Sequence, residues 1–313
     1  MPNNQTRRLA HGAMMIALFT IFIAIAFYVP IISIVATLFA PLPMAWYSAK
    51  YDRNSSLLVA LIGCITSFFI GGLLIIPFAL IYSATGVVIG DALRLKRSKV
   101  FLLMSTGITA LITFAIEYVI ALKLFEIDII KESMTIMRET YSKSIELSQS
   151  LNGQTPLDEQ TVNRMFETME TMIPASITIA MFVTTFIIIS INLPMLKRFG
   201  INVPKFRSFK NMRLPKAVLW YYLIILSINL FISPESGTAL YVISLNISLI
   251  LWLLLTLQGI SLIHFILDAY GSPPFLKVLA TLMAIPLYSF FVLIGILDLG
   301  FDIRSIVKGK IQK

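Results

Sequence analysis

Few side chains in this sequence are equipped for chemistry, and most of them stand inside or beside long apolar runs. Glu117 is the clearest: it lies seven residues before Leu124 in the apolar stretch 100–124, about 10 Å from the end of a helix there at 1.5 Å per residue. A charged acid costs about 2.5–3.5 kcal/mol at the centre of a bilayer and less toward its surface, so an acid kept at such a place faces a cavity, a ligand or a partner. Glu117 is therefore the candidate ligand-binding or proton-handling residue, with a structurally paired acid as the plainer reading. His264 and Asp268 are four residues apart, as are Asp298 and Asp302, and each pair would share one face of a helix. The ordinary role of both pairs is anchoring at the membrane surface.

Several chemistries are excluded. The chain has no glycine-rich phosphate loop ending in Gly-Lys-Ser or Gly-Lys-Thr, so any coupling to ATP must come from a partner. It has no His-Glu-x-x-His, its two histidines, His11 and His264, are far apart, and its one cysteine, Cys64, sits inside an apolar run. Neither a metal cluster nor a disulfide framework is expected, and no cofactor is implied. Asp52 follows Tyr51 and Asp91 follows Gly90, but the glycine pattern that would make them an intramembrane aspartyl protease pair is incomplete. With no acid, base and nucleophile set, no catalytic residue and no enzymatic activity are expected.

The elements that must position these residues are membrane helices. Hydrophobic residues make up 58% of the chain and charged ones 13%, with a mean hydropathy of +0.87, which no soluble domain of this length matches. Several windows exceed the roughly 18 apolar residues needed to cross about 30 Å of hydrocarbon. The formal net charge is +9, yet the Lys and Arg fall in short connectors and termini, where they orient a membrane chain rather than bind nucleic acid. The firmest marker is the connector 197–216, with seven Lys or Arg and no Asp or Glu between two apolar runs. Short loops of that kind stay in the cytoplasm.

From that marker the chain is expected to be an all-α, polytopic integral membrane helix bundle of about nine transmembrane helices in a bacterial cytoplasmic membrane. Arg7 and Arg8 precede the first apolar run and place the N-terminus in the cytoplasm. Two spans meet near Pro30, two more turn at Gly71-Gly72, and a fifth ends near Leu124. Residues 125–171 read as an extracytoplasmic hairpin of two amphipathic helices, the second opened by Thr155 as N-cap, Pro156 and the capping-box acid Asp158. A sixth span closes a membrane domain at residues 1–196. Residues 217–313 form a C-terminal region of three further spans, the last at 279–297. Nine crossings put the basic tail outside, against its own charge, unless residues 238–270 include a re-entrant piece. Ser190-Ile191-Asn192, Ser227-Ile228-Asn229 and Ser244-Leu245-Asn246 recur in late spans as groups that hydrogen-bond between helices. Ala13 with Ala17 and Gly86 with Gly90 are small-x-x-x-small pairs that allow close approach of helices.

The order of elements in residues 13–196, with the alanine pattern Ala13-Met14-Met15-Ile16-Ala17, resembles the six-helix substrate-binding components of energy-coupling-factor vitamin transporters. That resemblance implies that Ala13 and Ala17 face a membrane coupling subunit, and that a small ligand sits in the outer half of the bundle below external loops. The whole chain more closely resembles the YybS-like family of bacterial membrane proteins. Two stretches carry this likeness: the one from Gln258 through Gly259, Ser261 and His264, and the one from Gly295 through Asp298, Asp302 and Arg304. The three late spans have no counterpart in the six-helix plan. The expected partners are the lipid bilayer, an unidentified small ligand, and either a coupling subunit with its ATPases or another membrane protein; nucleic acid is not among them. The leading reading is a ligand-binding membrane protein that transports with partners, and the competing one is a membrane scaffold or regulator.

Overall fold

The computed structural model describes residues 4–152, 158–204 and 208–311, and they are helical with no strand among them. The chain divides into two units: Met1–Gln154 with Ile177–Lys205, and Thr155–Ser176 with Phe206–Lys313.

The first unit begins with α1 (Asn4–Tyr28), α2 (Ser33–Phe39) and α3 (Pro41–Lys50). The chain reverses at Pro30, as expected, and α2 runs into α3 through Ala40, where Pro41 and Pro43 interrupt the backbone ladder. There Asn192 donates to the Leu38 carbonyl at 2.8 Å and to its own Ile188 carbonyl. Next come α4 (Arg53–Gly71), a 3-10 turn at Gly72–Ile75 and α5 (Ile76–Arg94). Gly72 takes φ +62, a backbone region open to glycine, and the chain folds back there. Cys64 on α4 lies 3.3 Å from Ser83 on α5, and Arg53 meets Asp91 at 2.5 Å. Helices α1 and α4 run the same way, tied in succession by Arg8 to Asp52, Thr20 to Thr66 and Tyr28 to the Ile70 carbonyl.

Lipid tails are as apolar as Leu, so burial alone does not drive these helices together; close packing and hydrogen bonds do. Gly86 and Gly90 of α5 lie against the backbone of α3, where a Cβ would come within 2.6 Å of the Pro41 oxygen and 2.3 Å of the Ala45 oxygen. Ser48 then donates to the Val87 carbonyl at 2.8 Å. The Gly86–Gly90 pair is thus internal packing. Around it Phe19, Met44, Ile89, Leu102, Ile189, Leu193 and Leu196 are fully enclosed.

Helix α6 (Lys99–Leu124) precedes α7 (Ile129–Asn152), which has the expected amphipathic character. Helix α8 (Glu159–Arg198) is one uninterrupted run of 40 residues. This corrects the expectation of a second short surface helix followed by a separate span. Thr155 and Pro156 lie outside the described residues. Asp158 is itself the cap of α8 rather than its capping-box acid: it accepts from the Thr161 N–H at 3.2 Å and from the Thr161 hydroxyl at 2.5 Å.

The second unit contains the start of α8, then α9 (Ala217–Ser227), a π turn at Ile228–Ile232, α10 (Ala239–Ala269), α11 (Pro274–Met283), α12 (Tyr288–Phe301) and α13 (Ile303–Ile311). Pro174, within this unit, lies inside the continuous helix α8 but has no N–H to give to its backbone ladder. Across that turn the Asn246 carboxamide accepts from the Ala175 N–H at 2.8 Å and donates to the Thr171 carbonyl at 2.7 Å. Asn229 donates to Ser248 at 3.3 Å. Each Ser-x-Asn repeat therefore sends its Asn to a neighbouring helix, two of them to backbone groups at proline-disturbed turns.

Among the described residues, five helical stretches are long and apolar enough to cross a membrane, or six with the bent pair α11–α12. One of the five, Arg53–Arg94, is the α4–α5 pair folded back on itself. The sequence expects a single crossing at 279–297; instead α11 and α12 meet at 111°. Helix α11 starts beside the end of α10, with Lys277 on Asp268 and Thr281 on His264, and descends until Ala284 packs on Ile260. Helix α12 starts with Tyr288 near Trp252 and climbs back past Gln258 until Arg304, just beyond its end, reaches Lys210. The pair returns to the end of the unit from which it set out.

Candidate functional site

The two stretches singled out near the C-terminus come together in one buried polar cluster. Gln258 and Ser261 stand one turn apart on α10, and Asp298 lies on the last turn of α12. Gln258 donates to Asp298 Oδ2 at 2.5 Å, and Arg304 Nε donates to the same oxygen at 3.0 Å. The Arg304 fork also donates to the Lys210 carbonyl at 2.7 Å and to Ser261 Oγ at 3.1 Å. Gln258, Ser261 and Asp298 are fully buried and Arg304 is 7% exposed.

The rest of the cluster is backbone from the basic connector. Ser261 donates to the carbonyls of Phe209 and Met212, and Leu214 N–H donates to Gln258 Oε1 at 2.9 Å. The second half of the connector is therefore seated on α10 and α12 rather than loose in solvent. Its cations are used as well: Lys210 pairs with Asp268, which also takes Lys277 at 2.6 Å, and Arg213 pairs with Asp302. A buried ion pair adds little net stability once desolvation is counted, but removing one partner is severe. This arrangement specifies where the connector sits.

His264 and Asp268 do share a face of α10, both turned toward α11: the His264 ring nitrogen lies 2.9 Å from the Lys277 carbonyl and from the Thr281 hydroxyl. Asp298 and Asp302 do not share one. Asp302 ends α12 in the left-handed conformation, φ 49, so its side chain leaves the helical track and meets Arg213 instead. Asp298 Oδ1 is buried without a hydrogen-bond partner among the described residues.

In the first unit, Asp52 and Asp91 have structural partners rather than each other. Asp52 caps α4, and the Ser55 backbone N–H together with the Ser55 hydroxyl holds its carboxyl below the usual range. Asp91 is clamped between Arg53 and Arg94. Among the described residues no group of three metal-ligating side chains occurs.

A cavity of about 200 Å³ opens between α5, α6 and α8, lined by Ile81, Tyr82, Thr85, Ala110, Met181, Thr184, Thr185 and Ile188. Glu117 is not in its wall; it lies seven residues beyond Ala110 on α6, with Oε1 buried and without a hydrogen-bond partner among the described residues. Ala13 and Ala17 are exposed on the outer face of α1. The hydroxyls of the cavity went unnoticed in the sequence because single Thr residues in apolar runs carry no spacing signal, and α5 and α8 are about a hundred residues apart.

Apolar helices that pack through glycine crossings and bury their polar groups in mutual hydrogen bonds define an all-α, multi-pass integral membrane protein. Residues 17–299 match the family described as "Predicted membrane protein (DUF2232)", and the chain belongs to that family. It is similar to the protein named "Uncharacterized protein YybS" from Bacillus subtilis (strain 168), with 27% identity over 310 residues covering 97% of this chain and 99% of that one. No solved structure matches it.

Proposed function

We propose that this protein binds a small, largely apolar molecule within its first unit and moves it across a bacterial cytoplasmic membrane together with partner subunits. The observation that carries the reading is the cavity of about 200 Å³, whose mostly apolar lining includes the hydroxyl-bearing residues Tyr82, Thr85, Thr184 and Thr185. Apolar lining with a few convergent polar groups is the usual composition of a small-molecule site. The resemblance of residues 13–196 to vitamin-binding components supports it, and on this reading Ala13 and Ala17 face the coupling subunit. Glu117, about 10 Å along α6 from Ala110, serves the path to the cavity rather than its wall. The N-terminus and the basic connector face the cytoplasm, since each stands at an end rich in Lys and Arg.

Mass spectrometry of small molecules that co-purify with the intact protein tests this reading. A stoichiometric ligand should be present, and Thr85→Val with Thr184→Val should lower its retention about tenfold, as expected when a hydrogen-bonding site loses its partners. If nothing co-purifies and Ala110→Phe, which fills the cavity, leaves growth-linked uptake unchanged, the reading fails.

The seated connector favours a second reading, a scaffold whose rigid polar end in the second unit holds another membrane or envelope protein. Isolation from mild detergent separates the two. An ATPase and coupling-subunit pair belongs to transport, and a single envelope protein lost on Arg213→Gln belongs to scaffolding.

A further inference from the structure

We infer that the polar end of the first unit carries a second site, a groove that binds a phosphate group. It is distinct from the hydroxyl-lined cavity and does not depend on it. The groove, of about 340 Å³, lies where α3 and α5 end and the chain leaves α8; its wall includes Lys50, Arg94, Lys96, Phe199, Ile201 and Asn202. Three cations and no carboxylate form that wall. Of the acids at this end, Asp91 has its side chain 10% exposed and is shared by Arg53 and Arg94, and Asp52 is paired with Arg8, so the end keeps a surplus of positive charge.

The cations are held in place. The Lys50 ammonium sits over the Trp46 ring, 4.6 Å from its centroid, which fixes a flexible side chain without neutralising it. Lys96 is held by its backbone. Helix α5 closes with Lys96 N–H on the Leu93 carbonyl and Arg97 N–H on the Ala92 carbonyl, and Lys96 takes φ 51. The same pair of closing bonds ends α8 at Gly200, φ 82, and α10 at Gly271, φ 65. Glycine is the residue this closure favours, and at α5, beside the groove, a lysine occupies the slot.

Ammonium, guanidinium and the Asn202 carboxamide around one hollow suit phosphate oxygens. Exposed Phe199 and partly exposed Ile201 border the groove at the end of apolar helices, where a lipid headgroup and the top of its acyl chains would lie. The phosphate therefore belongs either to an anionic phospholipid or to a soluble phosphate compound, which share this chemistry.

The full chain, purified in neutral detergent, is examined by native mass spectrometry with phosphatidylglycerol, with phosphatidylcholine and, separately, with inorganic phosphate. Phosphatidylglycerol should be retained over phosphatidylcholine, and Lys50→Gln with Lys96→Gln should cut that retention by roughly tenfold or more, as expected for two cations acting near a headgroup. Lys96→Gly guards against misfolding: it relieves the left-handed residue, so it should keep or raise thermal stability while still weakening binding. Arg7→Gln, a cation of the N-terminal segment outside the groove, should leave binding within about twofold, because a lone exposed charge contributes little. Retention of inorganic phosphate with equal disregard for both lipids also supports the groove and assigns it to a soluble ligand. Unchanged lipid and phosphate retention in the Lys50 and Lys96 variants, an equal loss with Arg7→Gln, or retention of neither ligand overturns it.

Discussion

Gly259 and Gly295 face each other where α10 crosses α12, and neither has room for a methyl group. A Cβ on Gly259 would lie 2.1 Å from the Phe291 carbonyl oxygen, and one on Gly295 would lie 2.2 Å from that of Leu255. The obstacle is backbone, which cannot turn aside as a side chain can. Gly259→Ala and Gly295→Ala should each cost at least about 1–3 kcal/mol, seen as a lower unfolding temperature in detergent, whereas Gly309→Ala, with open space around it, should be silent.

Arg304→Gln leaves the Asp298 carboxylate buried without its cation. Such a loss typically costs about 3–5 kcal/mol, and it should also free the connector, because Lys210 loses the guanidinium on its carbonyl. Pairing it with Asp298→Asn should recover a large part. A double-mutant cycle on unfolding in detergent measures the coupling; simple additivity would contradict the geometry.

Asn246→Leu should destabilise the turn of α8 at Pro174 by about 1–2 kcal/mol, since Thr171 C=O and Ala175 N–H lose a shared partner away from water. Amide exchange at Ala175 should rise. In a Pro174→Ala background the helix can close its own ladder, so the same Asn246 substitution should then matter much less.

The path of α11–α12 is tested by cysteine labelling in a Cys64→Ala background. Ser208→Cys and Gly309→Cys should react from the same side of sealed vesicles, because the pair returns to the end where Lys210 and Arg304 meet. Labelling from opposite sides would make it a single broken crossing.

Asp128 caps α7: it accepts from the Lys131 N–H at 3.0 Å and from the Tyr118 hydroxyl at 3.0 Å, and the backbone bond in particular holds its pKa below the usual value. A carboxyl lowered in the folded state contributes fully above the unfolded pKa of about 3.9 and loses that contribution as the pH falls through the folded value. The first turn of α7 should therefore fray below about pH 4, visible as faster amide exchange at Lys131. Asp128→Asn should flatten that dependence.

Much of the fold was legible because its signals are local. Pro30 and Gly71-Gly72 mark reversals of the chain, and the three Asn repeats were correctly placed between helices. Other features were not legible because they depend on where distant helices lie. The hairpin reads as ending at residue 171 before a separate span, yet α8 runs on unbroken past Pro174, with Asn246 bonded to the turn there. Asp298 and Asp302 keep helical spacing on paper, but the left-handed Asp302 parts them. The 111° bend between α11 and α12 is likewise absent from the apolar run 279–297, which reads as one straight segment.

The sequence by itself determined the class of this protein, a polytopic helical membrane protein, since apolar runs of bilayer length and clustered Lys and Arg are properties of contiguous residues. It also picked out Gln258, His264, Asp298, Asp302 and Arg304 as a group worth attention. Only the tertiary structure decided what they do together. Gln258 and Asp298 are 40 residues apart, and Arg304 is 94 residues from the Lys210 carbonyl it holds. Contacts over such separations depend on how closely glycine lets two backbones approach and on where a buried charge finds its partner, and neither is written in any local pattern.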